Sequence, residues 1–77
     1  MRVISQDGNF DLPYENLAIF IEYENIVARF ENERFLLAQY STKEKAIKAM
    51  EALRETYTHP YIRYFQFPQD SEIEVSE

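Results

Sequence analysis

Short apolar-rich runs bounded by turn-forming residues recur from Arg2 to Tyr40, and apolar positions then take a helical period. Runs of this kind predict strands, whose successive side chains take opposite faces. Residues 2–6 therefore predict a short strand. Asp7-Gly8 predicts a two-residue turn, because a type I′ turn needs positive φ, and Asn9 to Leu12 predicts the return. Pro13 cannot donate to a ladder, so that return is short or lies at an edge. Tyr14-Glu15-Asn16 predicts a turn.

Leu17 to Tyr23 predicts the next strand, with Leu17, Ile19, Ile21 and Tyr23 on one face and Ala18, Phe20 and Glu22 on the other. Glu24-Asn25 predicts a tight turn, since Asn tolerates the left-handed region. Ile26 to Phe30 returns, Glu31-Asn32-Glu33 turns again, and Arg34 to Tyr40 forms another strand. Turns this short join strands into an antiparallel meander. Ser41-Thr42-Lys43-Glu44 matches a capping box for a helix from about Thr42 to Tyr57. Ala46, Ile47, Met50, Leu53 and Tyr57 form its expected apolar stripe. Pro60 ends it, and Tyr61 to Phe67 predicts a last strand closed by Pro68. The layout is β-β-β-β-β-α-β. It is an α+β fold in which an antiparallel meander carries one helix on one face and a C-terminal strand follows the helix. Residues 1–68 are expected to form a single α+β domain, and residues 69–77 an acidic tail that frays.

Length adds a constraint. A chain of 77 residues buries only about 60% of its unfolded surface, so its stability margin is thin. Disulfides and the usual zinc ligand sets are excluded by the absence of Cys and by the single His59. Dense packing of six Phe and six Tyr, or self-association, must compensate. No apolar run approaches the ~20 residues that cross a bilayer, and no signal-peptide core is visible, so a cytoplasmic chain without membrane contact is expected.

Charge then sorts the partners. Fourteen acids oppose eight bases, a net charge of −6. Phosphate neutralisation dominates duplex binding, so this balance disfavours direct nucleic-acid binding. A basic surface on a partner protein is the better complement. The candidate charged contacts are Glu22, Glu24, Glu31, Glu33, Asp70, Glu72 and Glu74. Tyr61, Tyr64 and Phe67 crowd both faces of the last strand, with Arg63 among them, and are the candidate aromatic anchors.

Candidate chemistry is sparse. His59 lies between Thr58 and Pro60 with no sequence-adjacent nucleophile or orienting carboxylate, which reads as a solvent-facing loop position. The carboxylates lack the glycine and spacing of a calcium loop. Gly8 is the only glycine, which excludes a glycine-rich phosphate cradle. The expectation is no catalytic residue, no metal, no cofactor and no enzymatic activity.

Four blocks carry a resemblance. They are Ile4-Ser5-Gln6-Asp7-Gly8 with Leu12-Pro13-Tyr14-Glu15, then Tyr40-Ser41-Thr42-Lys43-Glu44-Lys45-Ala46, Met50 with Leu53-Arg54, and Phe65-Gln66-Phe67-Pro68. Together they resemble a family of small bacterial proteins of prophages and other mobile elements, which carries no assigned catalytic residues. The resemblance implies a non-catalytic acidic protein-binding module. In its sharpest form this is an anti-CRISPR-like inhibitor that occludes a basic nucleic-acid-binding surface of a host defence protein. The alternative is a homodimeric scaffold protein of a mobile element that buries its last strand or its open sheet face.

Overall fold

A computed structural model describes residues 1–74 and shows an α+β fold. Six strands flank one helix: β1 (Arg2–Ile4), β2 (Asp11–Pro13), β3 (Ala18–Glu22), β4 (Asn25–Phe30), β5 (Glu33–Gln39), α1 (Lys43–Tyr57) and β6 (Tyr64–Gln66).

The meander forms as the turn residues dictate. Glu22 pairs with Asn25, so the β3–β4 turn is Tyr23-Glu24, one residue earlier than expected, with Tyr23 at φ 60°. Phe30 pairs with Glu33, leaving Glu31 and Asn32 at φ 51° and 67°, the left-handed pair that a type I′ turn requires. Between Ile26 and Val27 the β4–β5 register shifts. This bulge resets the alternation of β5. Phe35 and Leu37 face the core before it, and Ala38 and Tyr40 after it.

The strands do not form one antiparallel sheet. β3-β4-β5 is one sheet, and β2-β1-β6 is a second, in which β6 lies parallel to β1. Arg2 N–H donates to Arg63 O at 2.8 Å, and Phe67 N–H donates to Ile4 O at 3.1 Å. Only three residues of the expected last strand pair, because Tyr61–Arg63 is spent turning back from the helix. Pro13 occupies the edge strand, where its missing donor costs nothing. The first turn is wider than two residues: Ser5 N–H donates to Phe10 O at 2.9 Å, around Gly8 at φ 79°. The buried Ser5 hydroxyl donates to Asp7 Oδ1 at 2.6 Å and accepts from Phe10 N–H at 3.0 Å. That hydroxyl, followed by the Asn9 amide, holds the Asp7 carboxyl below its ordinary value.

Gln6 joins the sheets. Its N–H donates to Leu37 O at 2.7 Å, and its Oε1 accepts from Gln39 N–H at 3.0 Å. Its Nε2 donates to Pro68 O at 3.0 Å, and its carbonyl accepts from Gln69 Nε2 at 2.8 Å. All four polar groups of one residue thus tie the first strand, the bulged strand and the C-terminal segment together.

Helix α1 begins one residue later than the capping box implied. Thr42 is the N-cap, and its Oγ1 accepts from Lys45 N–H at 3.2 Å. Ser41 is instead engaged by Asp70, to which its N–H donates at 2.8 Å. The buried helix positions are Ala46, Ala49 and Leu53, with Met50 beside them. Ile47 lies about 100° around the axis from Ala46 and faces outward at the rim. Small residues at the centre of the stripe let the helix sit close to Ala28 of β4, in a core completed by Val3, Ile26, Leu37 and Phe67.

The segment expected to fray is seated over its first half. Gln69–Ile73 wraps a short 3-10 turn in which Glu72 Oε1 accepts from Gln69 N–H at 2.7 Å. Residues 75–77 of the expected tail lie outside the described residues.

Candidate protein-contact surface

Six of the seven acidic candidates fall at two separate places. Glu31 and Glu33 are exposed at the β4–β5 turn. Glu22 and Glu24 lie at the other end of the same sheet, at the β3–β4 turn. Backbone bonds bring the C-terminal segment to that second end. Tyr40 N–H donates to Glu24 O at 3.2 Å, and the next residue, Ser41, donates to Asp70. Glu24, Asp70 and Glu72 therefore lie together at this end, Glu22 stands on the sheet face turned away from the helix, and Glu31 and Glu33 do not join them.

These carboxylates are not equally available. Glu22 is ion-paired with Arg34, whose guanidinium also lies 6.0 Å from the centre of the Phe20 ring. Lys45 Nζ donates to Asp70 Oδ2 at 3.3 Å and to Asp70 O at 3.0 Å. The Ser41 amide, and then Lys45, hold the Asp70 carboxyl below its ordinary value. Glu72 is occupied by the Gln69 amide. Glu24 and Glu74 are exposed. Burial raises the Tyr40 hydroxyl well above the ordinary tyrosine value, and the charges of Asp70 and Glu72 add to the effect. It stays a donor, bonding Pro68 O at 2.9 Å.

The aromatic candidates divide as well. Tyr61 and Tyr64 stand 76% and 61% exposed, with Arg63 between them. Phe67 is 1% exposed and is corrected from contact anchor to core residue. Its ring meets Phe65 edge-on at 5.2 Å, and its N–H is held by β1, so the side chain points inward. The surface gains an aromatic that strand alternation placed within a strand, on one face with Leu17, Ile19 and Ile21. Tyr23 is 79% exposed at the β3–β4 turn, between Glu22 and Glu24. The signal for it was the Asn25 register: if Asn25 starts the returning strand, Tyr23 must be a turn residue.

An open groove of about 500 Å³ runs between α1 and the segment from Tyr14 to Ile19. Leu17, Ile19, Met50 and Leu53 line it, with Glu15 and Arg54 at its polar margin. The Tyr14 and Tyr57 rings meet at 4.5 Å. Glu15 Oε2 accepts from the Met1 amino group at 2.7 Å, which lowers its carboxyl; the Glu15 charge in turn raises the Tyr57 hydroxyl. His59 lies at the end of α1, with Nε2 3.5 Å from Glu55 Oε1 and Nδ1 3.5 Å from the Tyr61 hydroxyl. Among the described residues, His, Cys, Asp and Glu form no group of three or more placed to hold a metal, and no helix is long and apolar enough to cross a membrane.

Comparison of the chain with protein-family models, with curated proteins and with solved structures finds no match in any of the three.

Proposed function

We propose that the chain is a non-catalytic, acidic protein-binding module of a phage or mobile element. The observation that carries this reading is the β3–β4 end. There Tyr23 projects into solvent between Glu22 and Glu24, and the docked C-terminal turn adds Asp70 and Glu72. A solvated ring supplies apolar contact area at low entropic cost, while the surrounding carboxylates select a basic patch. Most of the charge is held in place: Asp70 by Ser41 and Lys45, Glu72 by Gln69, and Glu22 by Arg34. A surface fixed before binding loses little side-chain freedom when a partner arrives. In the sharpest form of the proposal, the partner is a host defence protein and the covered patch is its nucleic-acid-binding surface. Tyr64, on the other sheet, and Tyr61, in the turn that precedes it, are secondary candidates for contact.

The test is affinity capture from a bacterial host lysate, read by mass spectrometry. Wild type is compared with Tyr23→Ala/Glu24→Lys and with Glu31→Lys/Glu33→Lys. The reading expects a nucleic-acid-binding protein that is captured by wild type and by the second variant but lost with the first. Equal capture by all three, or capture abolished only by the second variant, contradicts it.

A further inference from the structure

We propose that the outer face of the β3-β4-β5 sheet is a self-association surface that joins two copies of this chain about a two-fold axis. The face follows from the register. Phe20 pairs with Val27 and Val27 with Leu36, forming an apolar row across three strands. Ala18, Arg29 and Arg34 form the row on one side of it, and Glu22, Asn25 and Gln39 the row on the other. This face is opposite the helix. Val27 is only 2% exposed, yet neither it nor Phe20 nor Leu36 packs with the core cluster around Ile26 and Leu37. Leu36 is left open to water.

The charges say what covers it. Arg29 and Arg34 are direct cross-strand partners, a like-charge pairing that destabilises a sheet, in a chain of net charge −6. Arg34 escapes toward Glu22. Among the described residues, Arg29 makes no ion pair. A two-fold axis along the apolar row lays Phe20, Val27 and Leu36 on their own copies and places each arginine row over the partner's Glu22 row. Glu22 of the second copy then sits above exposed Ala18, the smallest residue of the face and the cross-strand neighbour of Arg29. Arg29 gains a carboxylate in this operation, since Glu22 holds Arg34 of its own chain through Oε1 and leaves Oε2 for Arg29 of the second copy, and the strands stack in the aligned manner of a β-sandwich.

Size sets the strength. Five residues by three strands spans roughly 17 by 14 Å, well below the ~800 Å² per partner of a standard interface. The contact is therefore weak and reversible. It goes beyond the proposed function and needs only the purified chain, so the two can fail separately.

Sedimentation equilibrium at ~150 mM salt, from about 10 µM to about 1 mM, tests it. The weight-average mass of wild type should climb toward that of a dimer across this range. Leu36→Glu, Arg29→Glu and Glu22→Lys should each weaken association by about tenfold or more. Arg29→Glu/Glu22→Lys should regain most of it, because the swapped charges meet again across the axis and Arg34 acquires Glu at position 29 as its neighbour. A wild-type chain that stays monomeric throughout overturns the proposal. So does a dimer indifferent to Leu36→Glu and Arg29→Glu, or a double variant no better than either single one.

Discussion

Replacing Gln6 by Ala removes the side-chain half of the junction between the sheets. Two hydrogen bonds are lost, Gln39 N–H to Oε1 at 3.0 Å and Nε2 to Pro68 O at 3.0 Å. Each contributes about 0.5–1.5 kcal/mol net. Neither former partner is left stranded. Gln39 is exposed and can bond water, and Pro68 O still accepts from the Tyr40 hydroxyl. The low end of the range therefore applies, for a total of about 1–2 kcal/mol. In a domain of this size 1 kcal/mol moves Tm by about 4–8 °C, so the loss should be on the order of 5–15 °C. Thermal and urea unfolding followed by circular dichroism read it directly. Adding Tyr40→Phe should cost more than the sum of the single changes, because only the double variant leaves the half-buried Pro68 carbonyl without a donor. Gln66→Ala, which loses one long 3.3 Å bond, serves as the control and should cost under about 0.5 kcal/mol. A Gln6→Ala domain as stable as wild type, or strict additivity with Tyr40→Phe, would refute the view that Gln6 binds the two sheets into one unit.

Three further outcomes follow from named features. Glu31→Asn should raise stability by about 0.5–1 kcal/mol in urea unfolding, since Glu31 sits at φ 51° and Asn tolerates that region better; a lower midpoint would contradict the turn assignment. Phe67→Ala should cost about 3–5 kcal/mol, whereas Tyr61→Ala and Tyr64→Ala should stay within about 0.5, so similar midpoints for all three would contradict the interior placement of Phe67. Asp7 and Asp70 both titrate below the ordinary 3.8 in the folded chain, Asp7 chiefly through the Ser5 hydroxyl and Asp70 chiefly through the Ser41 amide. A depressed carboxyl contributes stability above its unfolded value and loses it as pH falls through the lower folded value. Stability should thus fall below about pH 4, and Asp7→Asn/Asp70→Asn should flatten that acid limb; an unchanged acid limb in the double variant would show that these carboxyls do not drive it.

The elements that local chemistry specifies were legible in the sequence. Asn32 in its turn, the short β-branched and aromatic runs of β3 and β4, and the Ser-Thr pair before Lys43 locate the meander and the helix nearly to the residue. Long-range pairing leaves no local mark, so β6 joining β1 in parallel could not be read. The run Phe35-Leu36-Leu37-Ala38 has no alternation because the bulge changes which face each residue takes. Hydrophobic bulk misled on the helix: Ile47 is larger than Ala49, but close approach to the sheet selects the small residue. Placing the β3–β4 turn one residue late makes Tyr23 a strand residue rather than the exposed turn residue it is. At the surface, composition gave the charge but not its division, and only the fold shows that Asp70 and Glu72 join Glu24 while Glu31 and Glu33 face away.

The proposed acidic contact end is tested most directly by the association rate of the captured partner as a function of salt. Steered binding to a basic surface should slow steeply as ionic strength rises, by about tenfold or more between ~20 and ~300 mM, and Tyr23→Ala/Glu24→Lys should lose both rate and slope. An association rate that ignores salt, or that falls only when Glu31 and Glu33 are reversed, would contradict the account.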